Sequence, residues 1–90
     1  MPKLFMIGAF AIYFWSNESG EPVHVHVAPK RPSSHSVKFW ITQDGQVVLA
    51  NNNLHLSQHE INFLSRYISL QTKYICEKWK EQFGELTFYC

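Results

Sequence analysis

The alternation of apolar and polar residues in the first half of the chain predicts a β-sheet. In the segment 23–27, three valines fall on one side of an extended strand and His24 and His26 on the other, as in a strand with one buried face. Segment 10–15 is dense in aromatic and β-branched residues, within an apolar run from Leu4 to Trp15 that also has strand character. Segments 37–41 and 46–50 flank an Asp-Gly pair that suits a tight hairpin turn. We therefore expect about four antiparallel strands within residues 1–53.

Helical periodicity in the second half predicts one long, unbroken helix over residues 57–83. Ser57 and Glu60 have the spacing of a capping box, and Gly84 stands where a glycine commonly ends a helix. One apolar stripe is expected to face the sheet, and its members are Ile61, Leu64, Ile68, Ile75 and Trp79. The expected fold is therefore α+β, a small sheet packed on one C-terminal helix.

A second apolar stripe runs along the same helix, about 130° from the first at ~100° per residue. Its members are Phe63, Tyr67, Leu70 and Tyr74. An uncovered stripe of this size is unusual for a soluble monomer, so something is expected to lie on it. One candidate is the tail, residues 86–90, returning as a short extra strand. The other is a partner protein, which would make the stripe a partner-binding surface.

Composition supports a single folded domain over residues 1–90. Hydrophobic residues make up 46% of the chain and aromatic residues 16%, which is enough for a core without cross-links. The two cysteines, Cys76 and Cys90, do not form a disulfide framework and suit a reducing, cytoplasmic compartment. The N-terminal apolar run lacks the flanks and length of a membrane signal, so no membrane association is expected. A net charge of +1 argues against attraction of the whole surface to nucleic acid, but not against a local phosphate site.

His24 and His26 are the candidate catalytic residues, because they leave the strand on one face with Cα atoms about 6.6 Å apart. Two such imidazoles suit an acid–base pair at a scissile phosphate, or two ligands of a divalent metal ion. The alternative is that both rings only form hydrogen bonds along a polar sheet face. We expect them to reach a groove or the surface and to remain accessible to solvent. Either chemical role needs a third group, and the available ones are His35, His55, His59, Glu18 and Glu21.

Basic and aromatic residues near this strand suggest a substrate-binding site. Arg31 and Lys38 would contact an RNA phosphate, while Tyr13 and Trp40 would stack on a base. The two aromatic residues are also those expected nearest the histidines. The alternative is a solvated loop beside ordinary core aromatic residues.

Residues 12–18 (IYFWSNE) and 21–27 (EPVHVHV), followed by a strand, an Asp-Gly turn and a helix with a late tryptophan, resemble a bacterial family. It is the family of domain of unknown function 4160. The resemblance spans nearly the whole chain, and His24, His26 and Trp79 match the family's own residues. It implies a gene neighbour, a small protein numbered 2442 in the same series, with which such proteins are proposed to form toxin–antitoxin modules. The chain departs from many relatives at residues 29–36 and 51–53, which lie outside the shared pattern.

The leading hypothesis is therefore a member of a toxin–antitoxin-like two-gene module that binds a cognate small protein from an adjacent gene. Its chemistry would be binding or cleavage of RNA by the His-X-His strand. One alternative is a non-catalytic binding domain, antitoxin or adaptor, with structural histidines. Another is a small metal-binding protein. No cofactor is expected beyond a divalent metal at His24 and His26 in that last case, and a homo-oligomer is compatible with the pattern.

Overall fold

The computed structural model describes residues 3–89, which form a five-stranded antiparallel sheet followed by two helices. The strands are β1 (Lys3–Ile7), β2 (Phe10–Tyr13), β3 (His24–Pro29), β4 (Val37–Ile41) and β5 (Val47–Asn52). They lie side by side in chain order, so that β1 and β5 are the two edges of the sheet. The predicted α+β class is confirmed.

The sheet has one strand more than predicted, because the apolar run from Leu4 to Trp15 is a hairpin and not one strand. Gly8 adopts a φ of 56° at the turn between β1 and β2, a conformation that favours glycine. The predicted hairpin between β4 and β5 is confirmed, with Gly45 at a φ of 80°.

The two faces of the sheet carry different residues. Val25 of β3 pairs with Phe39 of β4, and both are fully buried in the core. On the other face His24 pairs with Trp40, and His26 with Lys38. The alternation of β3 is thus as predicted, with the valines toward the helices and the histidines away from them.

The prediction of one unbroken helix over residues 57–83 is wrong. The structure has α1 (Gln58–Ser69) and α2 (Thr72–Phe83), separated at Leu70 and Gln71. At the break the Leu70 N–H donates to the Tyr67 carbonyl, a three-residue step, while the Arg66 carbonyl accepts the Ser69 hydroxyl. Such hydroxyl bonds to the preceding turn compete with the helical ladder and bend or end a helix without glycine or proline.

The helix ends and the core stripe match the sequence pattern. Ser57 and Glu60 form the capping box, and Gly84 ends α2 with a φ of 78°. The residues predicted to face the sheet are all buried in one cluster with the sheet residues: Ile61, Leu64, Ile68, Ile75 and Trp79. Trp79 contacts Phe14 and Phe83 through ring centroids 4.8 and 4.5 Å apart.

The tail returns to the sheet but forms no strand in residues 85–89, and Cys90 lies outside the described residues. The Val23 N–H donates to the Thr87 carbonyl over 2.9 Å, and the Tyr89 ring stacks on Trp40 with centroids 4.7 Å apart. The short strand predicted at residues 86–90 is therefore wrong for the part of it that is described. The tail lies near the start of β3 and leaves the second stripe of the helices exposed.

No helix among residues 3–89 is both long enough and apolar enough to cross a bilayer.

Candidate functional site

The loop between β2 and β3 brings Glu18 onto the two histidines of β3. Its Oε2 atom lies 2.8 Å from Nε2 of His24 and 2.8 Å from Nε2 of His26. The loop connects neighbouring antiparallel strands, and these two contacts place Glu18 on the face from which the imidazoles project. Of the five residues that the sequence offered as a third group, only Glu18 joins this cluster within the described chain.

The other carboxylate oxygen of Glu18 and the other ring nitrogen of each histidine also have a contact. The Trp15 N–H donates to Oε1 of Glu18 over 2.7 Å, so the carboxylate is held at both oxygens. Nδ1 of His24 lies 2.9 Å from the Pro22 carbonyl, and Nδ1 of His26 lies 3.3 Å from the Ser36 hydroxyl. The cluster is therefore fixed by backbone and side-chain groups from three segments of the chain.

This environment changes the ionisation of Glu18. Partial burial by itself raises the pKa of the carboxyl, but hydrogen bonds from the two imidazoles and from the Trp15 N–H lower it. Coulombic attraction to His24 acts in the same direction. Together the lowering effects are larger than the effect of burial, so the pKa of Glu18 lies well below its usual range. The group is therefore a carboxylate at neutral pH.

The histidines are less accessible than predicted. His24 is fully buried, and the side chains of His26 and Glu18 are each only 12% exposed. The Trp79 indole of α2 lies 5.0 Å from the His24 ring, and the Trp40 ring, on which Tyr89 of the tail stacks, lies 5.6 Å from it. The prediction that both rings remain available to solvent is therefore wrong for His24, because the alternation of a strand does not reveal what loops and tail cover its outer face.

Both expected aromatic neighbours contact the imidazoles, but Trp79, and not Trp40, is the aromatic residue nearest to His24. Tyr13 stacks on His26 with centroids 5.5 Å apart, and Trp40 meets His24 edge-on at 5.6 Å. The Tyr13 hydroxyl also donates to the Ser33 carbonyl, so this ring is fixed between the sheet and the following loop. Both aromatic residues are thus packed against the imidazoles, and Tyr13 is fully buried.

The two predicted phosphate-binding cations lie in different surroundings. The Lys38 ammonium lies 4.3 Å from the Trp40 ring centroid and 3.5 Å from Oε1 of Glu21, on the histidine face. Arg31 is exposed in the loop after β3 and forms no ion pair with any described residue. The structure therefore places Lys38, but not Arg31, against Trp40, which is an aromatic neighbour of the cluster.

A second candidate surface lies where α1 and the start of α2 meet β1. The side chains of the second stripe are exposed there: Phe63 by 43%, Tyr67 by 46%, Leu70 by 71% and Tyr74 by 39%. A groove of about 530 Å³ runs along α1 from His59 to Leu70, the residue that caps the C-terminal end of the helix. A neighbouring groove of about 380 Å³ reaches Phe5 and Met6 of β1.

Comparisons with known proteins identify a family but no activity. Residues 9–80 match the model of the family described as "Domain of unknown function (DUF4160)". The matched range contains Glu18, both histidines and Trp79, and it includes all four residues of the second stripe. No curated protein and no solved structure match the chain.

Proposed function

The chain belongs to the DUF4160 family, which is described as a domain of unknown function, and we propose from its own surface that it binds a small partner protein. The contact face is the exposed aromatic surface formed by α1, the start of α2 and β1. We call this surface the α1 face. In line with the resemblance, the partner is the product of an adjacent gene in a toxin–antitoxin-like module.

The observation that carries this proposal is the clustering of exposed apolar side chains. Five of the eight large apolar residues that are exposed among residues 3–89 belong to the α1 face, namely Met6, Phe63, Tyr67, Leu70 and Tyr74. Contiguous apolar patches of this kind are typical of interaction sites, and aromatic side chains contribute most to binding energy at interfaces. Phe63 and Tyr67 pack together with ring centroids 4.8 Å apart and so form a preformed platform.

The sheet edge beside this platform supports the same conclusion. β1 is an edge strand, and the pockets that include Phe5 and Met6 connect it to the helices. An edge strand presents backbone groups that another chain can pair with, and natural proteins usually protect such an edge. A partner seated on the α1 face would cover both the aromatic residues and this edge.

Charge indicates the chemistry of the partner. Arg66 lines the larger groove and forms no ion pair within residues 3–89. No carboxylate of the described chain lines that groove, the neighbouring one, or the third groove of the α1 face, which is lined by residues 4–6, Gln71 and Tyr74. A segment with apolar residues toward the groove and carboxylates at its margin would complement this surface. A second copy of the chain is a poorer match, because it would bring one Arg66 region toward another.

The histidine cluster gives less support to RNA cleavage. Both Nε2 atoms point at one carboxylate oxygen, and His24 is fully buried. A pair of imidazoles that straddles a phosphate needs two free nitrogen atoms near the substrate. RNA cleavage therefore stays a prediction from the sequence, while the α1 face favours partner binding.

The test is co-expression with the product of the adjacent gene, followed by affinity measurement on the purified pair. Tyr67→Ser and Phe63→Ser should each weaken binding by about 10-fold or more, since central aromatic residues commonly contribute over 1 kcal/mol. Leu49→Ser is the matched control, because Leu49 is 41% exposed on the opposite edge strand, and it should bind as the parent does. Absence of a complex, or equal binding by all three variants, would refute the proposal.

A further inference from the structure

We infer that Glu18, His24 and His26 form a binding site for one divalent transition-metal ion, of which Zn²⁺ is the representative. The ligand atoms would be Nε2 of both imidazoles and the Glu18 carboxylate. This site lies on the face of the sheet that carries the histidines, and Trp79 of α2 borders it at His24. The inference is independent of the partner-binding proposal, and either can fail without the other.

The first argument is the convergence of the three side chains. Their ligand atoms all lie within 4.8 Å of one another, and both Nε2 atoms are 2.8 Å from the same carboxylate oxygen. Two imidazoles and a carboxylate are a common protein ligand set for Zn²⁺ and for other divalent ions of the first transition row. Around a tetrahedral ion, neighbouring ligand atoms stand about 3.3 Å apart. The nitrogen–oxygen contacts would therefore have to lengthen by only about half an ångström.

The second argument concerns the hydrogen atom on His24. The Pro22 carbonyl oxygen can only accept, so the contact of 2.9 Å assigns a hydrogen to Nδ1 of His24. In the neutral ring Nε2 then carries a lone pair, and this lone pair faces a carboxylate oxygen, which is also an acceptor. Two acceptors at 2.8 Å need a positive centre between them. That centre is either a second proton on the imidazole or a metal ion.

The surrounding contacts are those of a metal site. A metal-binding histidine usually donates its other ring N–H to a carbonyl or carboxylate, which fixes the tautomer and the ring orientation. The Pro22 carbonyl does this for His24, and Ser36 contacts Nδ1 of His26 at 3.3 Å. The Trp15 N–H holds the other oxygen of Glu18 at 2.7 Å. All three ligands are thus preorganised by groups that would not themselves touch the ion.

The burial of the three side chains indicates from which side a metal ion would enter the site. His24 is fully buried, whereas His26 and Glu18 are each 12% exposed, so access is from the side of these two residues. Three protein ligands leave one position of a tetrahedral ion for water or another small ligand. The site therefore keeps one open coordination position, and the small ligand in that position can exchange with solvent from the side of His26 and Glu18.

The experiment titrates Zn²⁺ into the tag-free, chelator-treated protein by calorimetry and records the visible spectrum of the Co²⁺ form. We expect one ion per chain. Glu18→Gln, His24→Gln and His26→Gln should each lower the affinity by at least about 100-fold, more than the loss of a group that only orients a ligand. Ser36→Ala should lower it by about 10-fold, because Ser36 only orients His26.

The matched control is a variant with glutamine at all three exposed histidines, His35, His55 and His59. It should bind as the parent does. If it loses the ion, or if the three cluster variants keep it, the proposal is overturned.

In case the cluster variants do not fold, nitrogen NMR of the folded parent gives an independent readout. On adding Zn²⁺, the Nε2 signals of His24 and His26 should shift and those of the exposed histidines should not. Unchanged signals would also overturn the proposal.

Discussion

At the scale of single residues, Glu18 is the acceptor on which the histidine face depends. One oxygen of its carboxylate lies 2.8 Å from Nε2 of both imidazoles, the other accepts from the Trp15 N–H, and His24 reaches no solvent. Without that acceptor a buried imidazole would lose its partner, and the cost of a lost bond to a charged group is larger than that of an ordinary one.

Glu18→Gln should therefore lower the free energy of unfolding of the metal-free protein by about 1.5–3 kcal/mol. The measurement is urea unfolding in the presence of a chelator. Glu21→Gln is the control, because Glu21 is 44% exposed and meets Lys38 only at 3.5 Å. Its loss should stay within about 0.5 kcal/mol. Equal losses in the two variants would show that Glu18 has no special structural role.

At the scale of elements, α2 joins the core to the histidine face through one side chain. Trp79 is 1% exposed and packs on Phe14 and Phe83, and its ring also lies 5.0 Å from His24. The same residue thus fills the core cluster and closes one side of the candidate metal site.

Trp79→Ala should cost about 3–5 kcal/mol of unfolding free energy, because it leaves a cavity that neighbouring rings cannot fill. A loss of that size is a large part of the stability of a domain this small. Tyr74→Ala in the same helix removes a ring that is 39% exposed, and should cost about 1 kcal/mol or less. An unchanged denaturation midpoint for Trp79→Ala would contradict this account of the core.

At the scale of the whole molecule, the chain carries two separate candidate sites. The histidine cluster lies on the outer face of the sheet, and the α1 face lies over the helices and β1. Leu70, which occupies the break between the helices, is the most exposed residue of the second stripe at 71%. An exposed apolar patch beside an unpaired edge strand favours association between chains when no partner is present.

The isolated protein should therefore self-associate weakly and reversibly at high concentration. Leu70→Glu should lower the weight-average mass in sedimentation equilibrium toward that of the monomer, with no loss of thermal stability, since the side chain is mostly solvated. Adding the cognate partner should have the same effect on self-association of the parent. A parent that is monomeric throughout the concentration range would contradict this prediction.

The sequence by itself determined the properties that depend on local periodicity. Alternation in β3 separated the valines from His24 and His26, because successive side chains of a strand point to opposite faces. Helical spacing identified the buried stripe, and the capping box and Gly84 marked both helix ends. These features follow from backbone geometry within a few residues, so no knowledge of the rest of the chain was needed.

Only the tertiary structure decided what local patterns leave open. It selected Glu18 from five candidates, because a loop's path over a sheet depends on both strands that it connects. It buried His24 under Trp79, which is 55 positions later in the chain. It also divided the helix at Leu70 and left the second stripe uncovered, because the tail pairs with Val23 and Trp40 instead. Except for the helix break, where the bond between the Ser69 hydroxyl and the Arg66 carbonyl is local, each outcome depends on contacts between segments distant in sequence. The periodicity of either segment does not reveal the free energy of such contacts.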